Sequence, residues 1–255
     1  MIHPTAIIHP KAQVGANCEI GPYCVIGEHV ELGEGCQLHS HVVVTGHTKL
    51  GKGNEIFPFA NIGQKTQDLK WKGGVCRTVI GDHNVFRECV TIHSATNDGD
   101  ATVLGSHNLL LTYAHVAHDC ILGNHIIMSG FSGLAGHVVV EDHAVFGGYA
   151  AVHQFCRIGT MAMLGACSKF SQDIPPYMMA EGSPGEVRTI NKVGLERKGV
   201  SSESQAALRQ AFKILCREGL TLPNALAKIE KEVAQTPEIL HLQDFVRKSE
   251  RGIAR

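Results

Sequence analysis

No stretch of this chain approaches 18 consecutive apolar residues, so no membrane-spanning helix is expected. The opening Met1-Ile2-His3-Pro4-Thr5 lacks the charged region and apolar run of a secretory signal, and a cytoplasmic protein is the expectation. Neither sign of charge is in excess. The 23 Lys and Arg stand against 24 Asp and Glu, and a net charge of −1 leaves no basic footprint for nucleic acid and no global pull toward an anionic membrane. Any basic site must be local. Cys-x-x-Cys pairs are also missing, and the nine cysteines are an odd number, which makes a disulfide framework a poor reading.

What the chain does have is a period of six. Counting from Ile2 to Phe170 in steps of six visits 29 positions, of which 26 are Ile, Leu, Val, Met or Phe. A helix at period 3.6 or a strand at period 2 does not phase-lock apolar residues this way, whereas a coil with short flat sides presents one inward residue per side. Gly often follows the apolar residue, as in Val14-Gly15 and Leu32-Gly33, where we expect the chain to turn tightly and coils to approach closely. A small residue often sits four after it, and Cys18, Cys24, Cys36, Cys120 and Cys156 occupy that phase as small buried residues. Three six-residue sides make an 18-residue triangular coil, stacked about 4.8 Å from the next. The fold is therefore mainly β, a parallel β-helix of hexapeptide repeats.

The three failures, Asp68, Gly74 and Asp98, mark two loops thrown out from the prism, near 63–79 and 93–103. Loops on a rigid scaffold are where binding residues usually lie. The first holds the only Trp, Asp68 and three lysines, and is the better functional candidate. After Phe170 a linker with Pro175, Pro176 and Pro184 leads to a region without the six-residue phase. There Glu203 to Leu215 has helical spacing, followed by Gly219, and Leu222 to Val233 begins a second helix around Pro223. We expect a β-helical domain over 1–189 and a small α-helical C-terminal domain over 190–255.

Of the sixteen histidines, His29, His39, His41, His47 and His83 fall where an outward polar residue is expected. The hexapeptides beginning at Val116, Leu134 and Val152 are 18 residues apart and so stack on one side of three successive coils, carrying His118, His137 and His153 within roughly 10 Å. Asp119, Gly136 and Gln154 adjoin them. Two chemistries suit the group: three imidazoles around zinc with an open position, or one imidazole as a general base for an attacking hydroxyl. Outward structural polarity is the third reading.

The segments Ala114-His115-Val116-Ala117-His118-Asp119-Cys120, Leu134-Ala135-Gly136-His137 and Ala151-Val152-His153-Gln154-Phe155-Cys156 resemble the UDP-N-acetylglucosamine O-acyltransferase family of lipid A biosynthesis. The likeness continues in Gln67-Asp68-Leu69-Lys70-Trp71, Asp173-Ile174-Pro175-Pro176-Tyr177, Asn191-Lys192-Val193-Gly194-Leu195 and Arg251-Gly252-Ile253-Ala254-Arg255, and so covers essentially the whole chain. The resemblance implies a left-handed β-helix, a homotrimer with active sites in the clefts between subunits, and transfer of a 3-hydroxyacyl chain from acyl carrier protein to the 3-hydroxyl of UDP-GlcNAc, the first step of lipid A biosynthesis. It implies His118 as general base, Asp119 supporting it and the Gly136 N–H stabilising the oxyanion. Asp68, Lys70, His137, His153 and Gln154 would contact the sugar nucleotide, and Asn191, Arg197 and Lys198 the uridine and phosphates. Ala166 falls at the acyl-chain ruler, where a side chain larger than Gly would shorten the preferred chain.

No metal and no cofactor of the protein's own is implied, since the acyl donor carries 4'-phosphopantetheine. Adjacent residues on a strand face opposite ways, so Asp119 can support His118 only at a corner or a subunit boundary. Val193 and Glu196 depart from the family pattern, which has an acidic and a basic residue there. The competing readings are a zinc-dependent lyase on the same kind of helix, a hexapeptide transferase with another acyl donor, and a scaffold without catalysis. Acyl length, and a 3-hydroxyl against a 3-amino acceptor, are not readable from the sequence.

Overall fold

A computed structural model describes all 255 residues. Residues 2–170 wind as a left-handed parallel β-helix. Its three sides are a nine-stranded sheet running from Ile7–Ile8 to Lys169–Phe170, an eight-stranded sheet from Gln13–Val14 to Arg157–Ile158, and a ten-stranded sheet that starts at Glu19–Ile20. Most strands are two residues long, with the second residue turned inward, so the six-residue apolar phase becomes the core. Phe86, Phe146 and Phe170 are fully buried there. The five in-phase cysteines are buried, and all nine cysteines are free. The thiols of Cys18 and Cys120 each donate to a carbonyl on the next coil, at 3.2 Å.

The corners differ from expectation in which residues bend the chain. The left-handed backbone conformation falls mostly on non-glycine residues, among them Tyr23, His41, Phe59, Tyr113, Phe131 and Tyr149, with φ of 59–65°. The glycines after the apolar positions serve close approach instead. A Cβ on Gly33 would sit 2.4 Å from the carbonyl carbon of Gly51 on the next coil. Each non-glycine corner carries a cost of about 1–2 kcal/mol, which ring stacking between coils offsets. Tyr113 and Phe131, and Phe131 and Tyr149, stack with centroids 4.8 Å apart.

The two loops are shorter than the sequence indicates. Strands Asn61–Gln64, Arg77–Ile80, Thr91–His93 and Ala101–Leu104 extend into them, leaving residues 65–76 and 94–100 outside the sheets. Ordinary coils pair residues 18 apart, such as Val116 with Leu134. Leu50 instead pairs with Ile80, thirty residues on, and Ile80 with Leu104, twenty-four on. The insertions are therefore twelve and six residues, and the apolar phase survives because both are multiples of six. Inside these coils Asn54, Asn84 and Asn108 form a buried ladder: the Asn84 N–H donates to Asn54 Oδ1, Asn108 N–H to Asn84 Oδ1, and Ile126 N–H to Asn108 Oδ1.

Beyond the prism, strand Met178–Gly182 joins the third sheet and pairs antiparallel with Gly185–Ile190. Four helices follow: α1 (Lys192–Arg197), α2 (Ser202–Cys216), α3 (Leu222–Glu232) and α4 (Pro237–Arg247). The Ser201 hydroxyl caps α2 by accepting from Ser204 N–H, two residues before the helical pattern read from sequence. None of the helices is long and apolar enough to cross a membrane. Two contacts fasten this region to the prism. The Tyr177 hydroxyl bonds His241 Nδ1 at 2.8 Å, and His241 Nε2 lies 3.0 Å from Glu141. Buried Asp173 accepts from Arg157 N–H and from the Ser249 hydroxyl, while its backbone exchanges hydrogen bonds with Gly252 and Ala254. The resemblance-bearing segments at 173–177 and 251–255 thus include a structural clasp.

Candidate active site

His118 and Asp119 sit on the corner between the first and second sheets, after strand His115–Val116. Asp119 adopts φ of 60°, and this bend brings its carboxylate back toward the preceding side chain. His118 Nδ1 lies 2.7 Å from Asp119 Oδ2, so the two neighbours meet at a corner, as the alternation rule requires. With Nδ1–H donating to the carboxylate, Nε2 carries the free lone pair.

The loops close over this corner. Thr96, from the second loop, donates its N–H to Asp119 Oδ1 at 3.1 Å, and its hydroxyl lies 3.1 Å from His118 Nδ1. The Thr66 and Thr96 hydroxyls meet at 2.9 Å and tie the two loops together. Thr66 also accepts from Asp68 N–H, and Asp68 Oδ1 accepts from Lys70 N–H. This turn places a donor atom of Asp68 within 4.8 Å of donor atoms of His118 and His137. Lys70, Thr96 and Asn97 border an open cleft of ≈ 520 Å³ beside them.

One coil above, His137 Nε2 lies 3.6 Å from Asp119 Oδ2, and its ring stacks on Phe155 at 4.6 Å. A Cβ on Gly136 would meet His118 Cε1 at 2.3 Å and Nε2 at 2.6 Å. The absent side chain leaves room for the imidazole, and the Gly136 N–H donates to no acceptor in the chain. A further coil up, His153 and Gln154 are exposed.

Burial opposes ionisation of Asp119, but hydrogen bonds from His118 and Thr96 outweigh it, and the carboxyl sits below the usual carboxylate range. Behind His118, burial, with the adjacent His93 and His118, pushes His115 down to about 4. His93 is lowered by burial and then by His118, and its Nδ1 has no partner. A neutral, desolvated backing therefore lies behind the His118–Asp119 pair.

The remaining expected residues lie on other corners. Arg197 and Lys198 line a cavity of ≈ 360 Å³ at the corner between the second and third sheets, together with Asn191 and the stacked rings of His107, His125 and His143. The Asn191 side chain is engaged in structure: its carbonyl accepts from Gly194 N–H and caps α1, and its amide donates to Met161 O. Val193 is 55% exposed, and Glu196 pairs with Lys192. Ala166 is exposed at the third corner, where Gly148, Gly130 and Thr112 underlie it.

Sequence reasoning missed Thr66, Thr96 and the histidine stack. The stack was within reach, because 107, 125 and 143 are spaced by 18 like His118's own corner. The threonines were not, since loop residues carry no phase.

Known proteins similar to this chain match it along its whole length. Residues 173–254 match the model of UDP-N-acetylglucosamine O-acyltransferase domain 2, and residues 2–96 match that of the GMPPB C-terminal domain. The acyl-[acyl-carrier-protein]--UDP-N-acetylglucosamine O-acyltransferases of Gloeothece citriformis and of a Synechocystis species are 44% and 46% identical to it, each over 97% of this chain and 90% of the relative. Among solved structures, LpxA of Acinetobacter baumannii superposes with a TM-score of 0.96 at 45% identity, covering 100% of this chain and 99% of that one. LpxA of Bacteroides fragilis, a UDP-N-acetylglucosamine acyltransferase, gives 0.97 at 41% identity with 100% of both chains covered.

Proposed function

This chain belongs to the UDP-N-acetylglucosamine O-acyltransferases, and from that premise we propose that it moves a 3-hydroxyacyl chain from acyl carrier protein to the 3-hydroxyl of UDP-GlcNAc, opening lipid A biosynthesis. The observation that carries the chemistry is the 2.7 Å contact between His118 Nδ1 and Asp119, which leaves Nε2 as a base beside the side-chain-free corner of Gly136.

In this reading His118 Nε2 takes the proton of the sugar hydroxyl as its oxygen attacks the thioester carbonyl. The Gly136 N–H donates to the resulting oxyanion. Collapse of the tetrahedral intermediate breaks the carbon–sulfur bond, and the departing thiolate takes the proton from the His118 imidazolium. Asp119 keeps the ring in the right tautomer and balances its transient charge. Asp68 and His137, which gather at His118, and Lys70, which borders the ≈ 520 Å³ cleft, hold the sugar, and His153 and Gln154 extend that surface along the prism. The protein supplies no cofactor, because the carrier's 4'-phosphopantetheine thioester is already activated.

Arg197 and Lys198 hold the diphosphate, but from a corner one prism side away from His118, a side roughly 15–20 Å wide by strand rise. We read the active enzyme as a homotrimer, in which the His118 corner of one copy faces the Arg197–Lys198 corner of the next. Ala166, on the third corner, limits the acyl chain.

The test is an assay with UDP-GlcNAc and a series of 3-hydroxyacyl carrier proteins, the product identified by mass. We expect an ester at the sugar 3-position, and a His118→Ala variant that folds normally but turns over about 10²-fold or more slowly. Full activity in that variant contradicts the reading. Competition among the carriers tests Ala166: preference for the longest chains removes its role as ruler.

A further inference from the structure

We propose that Asp68, His118 and His137 form a zinc site through which Zn²⁺ inhibits the enzyme. The three residues come from the first loop and from two successive coils, and a donor atom of each lies within 4.8 Å of the other two. Two imidazoles and one carboxylate are a donor set that zinc accepts, with one position left open. Magnesium and calcium want six or more oxygens and do not fit it.

The protein also supplies what a zinc-binding histidine needs behind it. Asp119 accepts from His118 Nδ1–H at 2.7 Å, which fixes the tautomer and aims Nε2 outward. His137 is held flat on Phe155 with rings 7° from parallel, and stands perpendicular to His118 at 88°. The two imidazole planes are already crossed. Tetrahedral zinc at bonds of about 2.0–2.1 Å needs donors roughly 3.3 Å apart. The cluster must therefore close by at most about 1.5 Å, and Asp68 on its loop and the one-third-exposed His137 have that freedom. Zinc and the sugar hydroxyl would then compete for the same lone pair of His118. Only this inhibitory consequence rests on the acyl-transfer reading; the binding does not.

Titration of Zn²⁺ against a chromophoric chelator, with the full chain in chelator-free buffer, reads the site directly. One zinc per chain is expected at micromolar concentration, with millimolar Mg²⁺ ineffective, and Asp68→Asn and His137→Gln should each weaken binding by at least about tenfold. Cys167 is the exposed thiol of the chain, so Cys167→Ser should bind zinc like the parent. No uptake, an affinity unchanged by both site substitutions, or loss of binding in Cys167→Ser overturns the site. Saturating zinc should abolish acyl transfer and excess chelator restore it; zinc bound at full activity overturns the inhibition. A protein that binds zinc at this site yet never transfers an acyl group contradicts the function proposed above and leaves the metal site standing.

Discussion

Gly136 meets two demands with one missing side chain: it makes room for the His118 imidazole and offers an N–H that nothing else in the chain uses. Gly136→Ala should displace His118 without unfolding the corner, and we expect turnover to fall by about 10²-fold with an unchanged far-UV spectrum. Two titrating groups beside His118 act in separate pH windows. His115 titrates at about 4 in the folded chain and near 6.5 when unfolded. Its contribution is therefore whole above pH 6.5 and is lost as pH falls toward 4. The denaturant midpoint should drop between pH 7 and 5, and His115→Gln should flatten that slope. Asp119, held below its ordinary range, keeps its contribution until the pH falls below about 4.

Among the elements, the first insertion separates fold from function most cleanly. Excising residues 65–76 joins Gln64 to Arg77 and restores an 18-residue coil in phase. The shortened protein should keep its β-helical circular dichroism and lose acyl transfer, since Asp68 and Lys70 leave with the loop. Collapse of the fold would show that the loop is structural. The asparagine ladder predicts the converse behaviour. Asn84→Ala leaves the buried Asn108 N–H without its acceptor and should cost about 1–3 kcal/mol in denaturant unfolding while sparing the site.

These elements also show what the sequence makes legible. The six-residue phase carried the core directly, because one inward side chain per side is a one-dimensional signal, and it stacked His118 with His137 by arithmetic. It overstated both loops, since strand pairing continues for a few residues past the apolar positions. It misread the corner glycines as the turning residues, because stacking rings can sustain left-handed backbone that composition assigns to glycine. The Thr66–Thr96 clasp and the approach of Asp68 to His118 depend on loop conformation, which no periodicity encodes.

For the whole molecule, the distribution of the proposed site over separate corners is the decisive feature. His118 lies on one corner, and the Arg197–Lys198 cavity on another. A site shared between neighbouring copies accounts for this, and light scattering should find a stable assembly of three 27.5 kDa chains. The most direct measurement is complementation. A His118→Ala chain and an Arg197→Ala, Lys198→Ala chain, each impaired alone, are co-expressed with different tags and purified as mixed assemblies. Every mixed trimer, whether 2:1 or 1:2, keeps one of its three shared sites with every residue intact, and recovery toward about one third of parental activity is predicted. Mixed assemblies no more active than either parent would contradict a site built between copies.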